Sequence, residues 1–328
     1  MAKWTDTDLP DLSHRTYVVT GATSGLGLET ATALAAHGAE VVLTGRDSDR
    51  LHRSVAAVAE AAQGPAPVGQ MLDLADLASV RTAVKELMDA HPVIHVLINN
   101  AGVMATPRGT TADGFELQIG TNHLGHFALT GLLLPALPVT DASADARVVT
   151  VASGAHRMGG VDPDDLNFER RTYRPWQAYG QTKTANLLFT AELDRRAHAA
   201  GVHLVAAAAH PGWAATNLQF AGPSFAQNRI GRMMTSGANA LLGQPARAGA
   251  WPTLYAATQD DVHGDDYIGP DGRFEQKGHP RHVGRNSAAS DPTTARRLWE
   301  VSEELTGVTY PWPATDSADE EPRPPSAE

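Results

Sequence analysis

Thr20-Gly-Ala-Thr-Ser-Gly-Leu-Gly27 is the stretch that decides the fold. The β-branched run Tyr17-Val-Val-Thr20 leads into it and reads as a buried strand. The Ala- and Leu-rich residues 25–37 follow and read as a helix, closed by Gly38. A strand that turns on glycines into a helix can hold a dinucleotide. Gly21 permits the tight turn, while Gly25 and Gly27 bring backbone close to a pyrophosphate and pack helix on strand. Thr23, Ser24 and Leu26 complete the loop at the helix N-terminus, where N–H groups and the positive dipole end suit phosphate.

The pattern continues outward. Residues 40–44, 67–72, 95–98, 147–152 and 203–208 read as further strands, and 47–62, 76–90, 113–137, 179–199 and 291–306 as helical. Such alternation implies right-handed βαβ crossovers. The expected class is α/β: a single-domain Rossmann fold, a doubly wound parallel sheet with helices on both faces. No composition break interrupts residues 14–310, which read as one domain. Residues 314–328 are rich in Pro, Ser, Ala and Glu and read as a disordered tail.

Bulk properties narrow the function. A hydrophobic fraction of 42% in 328 residues allows a sizeable core. The formal charge of -11 argues against nucleic acid, which needs clustered Lys and Arg. With no cysteine, disulfides, Fe–S clusters and thiolate metal sites are excluded. The 14 histidines form no His-Glu-x-x-His motif. His123 and His126 share a helix at i,i+3, and His279 and His282 share a loop, but neither pair has an acidic or Cys partner at ligand spacing. No metal site is expected. The acidic, proline-containing N-terminus and the lack of any run of 18 apolar residues point to a cytoplasmic protein without a transmembrane segment.

Cofactor preference is read after the second strand. An NAD site usually carries a carboxylate there for the ribose 2′-OH. This chain has Thr44-Gly-Arg46, and Arg46 can grip a 2′-phosphate and stack on adenine, so NADP(H) is expected. Asp47 reads as the N-cap of the next helix. Asp73-Leu74 ends the third strand, where Asp73 suits the adenine amino group and equally suits a helix cap. Asn99-Asn-Ala-Gly102 follows the fourth strand. Small Ala101 and Gly102 let backbone approach the adenosine ribose, and Asn99 can tie neighbouring strands.

Tyr179-Gly-Gln-Thr-Lys183 puts a phenol and an ammonium one helical turn apart. A free tyrosine titrates near about 10, too high for proton exchange at neutrality. A neighbouring ammonium favours the phenolate. Tyr179 then serves as acid in carbonyl reduction and base in alcohol oxidation, with Lys183 lowering its pKa. Ser153, at the carboxyl end of a strand, can donate to the substrate oxygen.

Together the glycine loop, Asn99-Asn-Ala-Gly102, Asn122, Ser153, Tyr179-x-x-x-Lys183 and Pro211-Gly212 resemble the short-chain dehydrogenase/reductase family, over about residues 14–285. Asn122-His-Leu-Gly-His-Phe127 and Val151-Ala-Ser-Gly-Ala-His156 are similar to its retinol dehydrogenase and protochlorophyllide reductase branch. The resemblance implies that Asn122 is a fourth catalytic residue holding a water in a relay to Lys183. By residue type it fits equally a helix-interior asparagine bonded to backbone. The resemblance further implies that Lys183 bonds the nicotinamide ribose, that Pro211 and Gly212 face the nicotinamide, and that Thr216 bonds its carboxamide or the diphosphate. It implies a homodimer or homotetramer on the helices of Asp113 and Tyr179; a monomer fits the pattern as well. A light-driven C=C reductase is disfavoured, because the cysteine typical of that site has no counterpart here. The alternative class is a catalytically silent NADP-binding sensor, but such proteins usually lose the Tyr or Lys that this chain keeps.

The substrate side is less patterned. The long stretch from Ser153 to Tyr179 holds the acidic run Asp162-Pro-Asp-Asp165 and the aromatics Phe168, Tyr173 and Trp176, and residues 213–243 hold Phe220, Phe225, Met233 and Met234. Aromatics and Met suit an apolar pocket, and each suits core packing equally. The expected partner is a small, lipophilic ketone, aldehyde or secondary alcohol.

Overall fold

Strand β1 (Thr16–Val19) is buried on both faces, as an unbroken apolar run requires. The computed structural model describes residues 3–212 and 244–312. Around β1 stand β2 (Glu40–Gly45), β3 (Val68–Met71), β4 (Val96–Asn99), β5 (Ala146–Val151), β6 (Leu204–Ala209), β7 (Tyr267–Pro270) and β8 (Pro280–His282). They form one sheet in the order β3-β2-β1-β4-β5-β6-β7-β8. Every pairing is parallel except the last, β7 with β8. The order reverses direction between β1 and β4, and the crevice outside their carboxyl ends is where such sheets bind ligands.

Period-two alternation divides the core. Val18, Leu97, Val148 and Ala206 face α3 (Leu77–Ala90), α5 (Gly125–Leu133) and α6 (Pro175–Ala199). Val19, Ile98, Val149 and Ala207 face α1 (Gly25–Ala36), α2 (Ser48–Ala59) and α7 (Ala246–Thr258). The expected α/β class and doubly wound sheet are both present.

Two features depart from the sequence reading. The helix expected over 113–137 is broken into α4 (Leu117–Ile119), a π-helical turn (Gly120–Leu124), α5 and a short 3-10 turn. Asp113 lies before it, accepting from Leu77 N at 3.0 Å, and Glu116 is the true cap, accepting from Gln118 N and Ile119 N. Second, α7, β7 and β8 were not read from the sequence. The strands are four and three residues long, and α7 carries Pro252 inside it, so periodicity had little to work on. The helix expected over 291–306 is present as α8 (Pro292–Thr306) and lies over α6 and the π-helical turn. Trp299 stacks on Phe189 at 5.9 Å and meets Phe127 edge-on at 5.0 Å. Residues 178–190 and 118–131 are all buried, while both ends of α6 reach the surface. Among the described residues, no helix is long and apolar enough to cross a membrane. The tail 314–328 lies outside the described residues.

Candidate active site

The glycine loop is built against the chain that follows β4. Gly21 has a φ of 64°, and a Cβ there would lie 2.9 Å from Ala101. A Cβ on Gly27 would lie 2.5 Å from Asn100 Nδ2 and 2.6 Å from Gly21 O. Larger residues would close this cradle. Ser24 occupies the N-cap of α1 without a side-chain cap bond, so the first amides of the helix are not satisfied by their own cap. Thr20 Oγ1 accepts from Asn100 N at 2.8 Å and Ala101 N at 2.9 Å, locking the two segments together. Contrary to the expectation from sequence, Asn99 does not tie the strands. Its Nδ2 donates to Thr130 Oγ1 of α5 at 3.0 Å, and it is Asn100 Nδ2 that donates to Thr20 O at 2.7 Å. Alternation sends Asn99 toward the helix layer and leaves the strand-to-strand bond to its neighbour.

Arg46 is exposed at the end of β2, and Asp47 caps α2 by accepting from Arg50 N at 2.9 Å, as expected. Arg50 was not singled out from sequence. Its Nη2 reaches Ser24 Oγ at 3.2 Å, placing a second cation over the glycine loop. The available signal was its position four residues after Arg46, one turn along. Asp73 forms a local turn, Oδ1 accepting from Ala75 N at 2.9 Å, while the helix cap is Asp76. Leu74 is buried against α5.

Ser153 follows β5 and caps the 3-10 turn Gly154–Met158, its Oγ accepting from Ala155 N at 3.2 Å. Tyr179 and Lys183 share the buried stretch of α6. Lys183 Nζ donates to Val151 O at 2.8 Å and lies 5.6 Å from the centre of the Tyr179 ring. The expected loosening of the phenol is not what the protein alone provides. Burial pushes Tyr179 up to about 12, and the nearby Ser153 hydroxyl pulls only partly the other way. Burial likewise brings Lys183 down to about 8. The ammonium is spent on the Val151 carbonyl, and a buried pair is dominated by lost hydration.

Asn122 sits in the π-helical turn. Its side chain clamps the Gly102 segment: Oδ1 accepts from Val103 N at 2.7 Å, and Nδ2 donates to Val103 O at 2.8 Å and Thr182 Oγ1 at 3.1 Å. Its carbonyl faces His126 Nδ1 at 3.1 Å, and His126 Nε2 meets Thr20 Oγ1 at 2.9 Å. His123 Nε2 instead meets Ser302 Oγ at 2.9 Å. The two histidines thus point to different partners, and among the described residues no group of three or more His, Cys, Asp or Glu is placed to hold a metal. Thr20 and His126 escaped the sequence reading as supports for Asn122, because their link spans over a hundred residues.

On the substrate side Phe168 is buried with Arg171 over its ring, and Tyr173 donates to Thr106 O at 2.9 Å, so both are structural. Asp165, from the acidic run, folds this loop by accepting from Glu169 N and Arg171 Nε. Trp176 is exposed and edge-on to Tyr179 at 6.1 Å. Pro211 is anchored through its carbonyl by Gln244 Nε2 at 2.7 Å, and Gly212 takes a φ of 65°. Thr216, Phe220, Phe225, Met233 and Met234 lie outside the described residues.

Comparison with known proteins identifies the family. Residues 15–222 match the family model described as short chain dehydrogenase. The chain is 37% identical over 304 residues to retinol dehydrogenase 13 of Homo sapiens, covering 90% of this chain and 86% of that one. It is 37% identical over 307 residues to polyprenol dehydrogenase of Mus musculus, covering 92% and 86%. A crystal structure of an uncharacterized protein from Mycobacterium Paratuberculosis superposes with a TM-score of 0.76 at 44% identity, covering 94% of this chain and all of that one. The chain belongs to the short-chain dehydrogenase family, on its retinol dehydrogenase-like branch, and is an oxidoreductase.

Proposed function

We propose that this protein interconverts a lipophilic ketone or aldehyde and its alcohol with NADP(H), using Tyr179 as general acid and base. The observation that carries the reading is the placement of Ser153, Tyr179 and Lys183 at the carboxyl end of β5, beside a glycine cradle that excludes a Cβ at Gly21 and Gly27. The cradle and the uncapped start of α1 fit a dinucleotide. Arg46 and Arg50 would hold the 2′-phosphate, Asp73 the adenine amino group, Asn99, Ala101 and Gly102 the adenosine side, and Lys183, Pro211, Gly212 and Thr216 the nicotinamide side.

When bound, the cofactor supplies or takes the hydride. The residues handle the proton and the charge. Ser153 donates to the substrate oxygen and stabilises its growing charge. Tyr179 gives that oxygen its proton in reduction and removes it in oxidation. A phenol held near about 12 keeps its proton until the developing alkoxide calls for it, which favours the reduction direction; the oxidation direction needs the phenolate and so a higher pH. Asn122 fixes the turn that faces Lys183, through bonds to Val103 and Thr182. The relatives named for retinol and polyprenol support an apolar substrate, as does Trp176 exposed beside Tyr179.

The test follows NADPH absorbance over a panel of lipophilic ketones and aldehydes and small charged 2-oxo acids. Turnover of the lipophilic group by the wild type, lost in Tyr179→Phe, supports the reading. Activity confined to the 2-oxo acids, or retained by Tyr179→Phe, overturns it.

A further inference from the structure

Glu275 stands where three segments around the candidate active site meet. Its carboxylate accepts from Arg157 Nη2 at 3.2 and 3.0 Å. Oε2 also lies 3.3 Å from His210 Nε2, a close polar contact that is not aligned as a hydrogen bond. Arg157 belongs to the 3-10 turn that Ser153 caps. His210 leaves β6 directly before Pro211-Gly212. Its Nδ1 accepts from Gly212 N at 3.2 Å, which leaves the ring proton on Nε2, toward Glu275.

The surroundings are built around this contact. His210 is 2% exposed and lies 5.0 Å from the Tyr267 ring. A Cβ on Gly269 would collide with the His210 ring, so glycine there makes its room. A Cβ on Gly212 would lie 2.9 Å from Glu275 O, so the turn after β6 rests on the Glu275 backbone as well. Phe274 and Glu275 both take a φ of 56°, in the left-handed region. Side-chain-bearing residues stay there only when their surroundings hold them. The two residues turn the chain so that Phe274 is 74% exposed while the Glu275 carboxylate is mostly covered. His210 and Arg157 hold that carboxyl down at about 2, so it is charged at any working pH.

We propose that Glu275 is a positioning residue for the oxidoreductase reaction. By clasping Arg157 and His210 it fixes the distance between the turn that carries Ser153 and the turn at Pro211-Gly212, and so aligns the oxygen-binding group with the cofactor side of the crevice. The inference rests on the function proposed above. Sequence spacing alone does not reveal it, because the contacts of Glu275 with Arg157 and His210 span 118 and 65 positions.

The experiment measures NADPH affinity, kcat and KM for wild type, Glu275→Gln, Arg157→Gln and the double variant, with thermal unfolding of each. Misplacement of a reacting group by about 1 Å costs rate on the order of 100-fold, so kcat in Glu275→Gln is expected to fall about 10- to 100-fold with KM within about threefold. NADPH binding weakens severalfold, and the double variant is no worse than Glu275→Gln. Arg285→Gln, which removes the separate ion pair with Asp265, serves as control and shifts only the unfolding temperature. Wild-type kcat and NADPH affinity in Glu275→Gln, or additive losses in the double variant, overturn the proposal. Should Glu275→Gln fail to fold, Arg157→Gln reads the same contact from the exposed side. If the wild type turns over no carbonyl, the oxidoreductase reading fails, and the NADPH affinities still judge the clasp.

Discussion

Nδ1 of His126 lies 3.1 Å from the carbonyl oxygen of Asn122, one helical turn earlier. A carbonyl only accepts, so the ring proton is on Nδ1, and the Thr20 hydroxyl donates to Nε2. Thr20 in turn receives Asn100 N and Ala101 N. A neutral imidazole thus joins the end of β1 to the turn that carries Asn122. Burial holds His126 at about 4 and His123 at about 3.

These two histidines predict acid sensitivity. Both stay neutral in the fold and become charged in the unfolded chain below about 6.5, so the unfolded state binds more protons and stability falls as pH drops. The loss per histidine grows by about 1.4 kcal/mol for each unit from 6.5 down toward the folded value. Urea unfolding of His126→Asn between pH 4.5 and 6.5 should show a slope reduced by about that amount. An unchanged slope would mean that the ring is already charged or exposed.

Tyr179 and Lys183 should separate in their kinetics. Tyr179→Phe removes only the hydroxyl, so kcat/KM is expected to fall about 10²- to 10⁴-fold while NADPH affinity stays within about threefold. Lys183→Ala should lower both, since Nζ lies at the carboxyl end of β5 beside the cofactor crevice. Fluorescence titration with NADPH beside steady-state rates makes the distinction.

Arg46 and Arg50 should account for the choice between cofactors. Each charge-assisted contact contributes about 1.5–3 kcal/mol, so Arg46→Ala and Arg50→Ala should each raise the Kd for NADPH by at least about tenfold. NADH binding should hardly change. Equal weakening of both dinucleotides would place these arginines away from the 2′-phosphate.

Trp299 should be the costliest side chain of α8 to lose. It stacks on Phe189 and lies 4.5 Å from Tyr310, whose hydroxyl donates to Phe127 O. Trp299→Ala is expected to destabilise by about 3–5 kcal/mol, read as a fall in Tm and in the urea midpoint.

Much of this was legible in the sequence because its signals are local. The turn from Gly21 to Gly27, the cap at Asp47 and the Tyr179–Lys183 spacing each depend on residues within a turn or two of one another. What escaped depends on distant partners. Arg50 meets Ser24 across a strand, His126 meets Thr20, and Glu275 meets Arg157 only because the sheet brings their loops to one edge. The direction of the Tyr179 shift also escaped, since burial is a property of the packed molecule rather than of a motif. Asn99 and Asn100 exchanged roles for a simpler reason: adjacent strand residues point to opposite faces, and the register had to be seen.

The cover that α8 lays over α6 has a consequence for truncation. A chain cut before Pro292 would leave the rings of Phe127 and Phe189 facing water, so losing this last helix should cost the protein its fold rather than trim its surface.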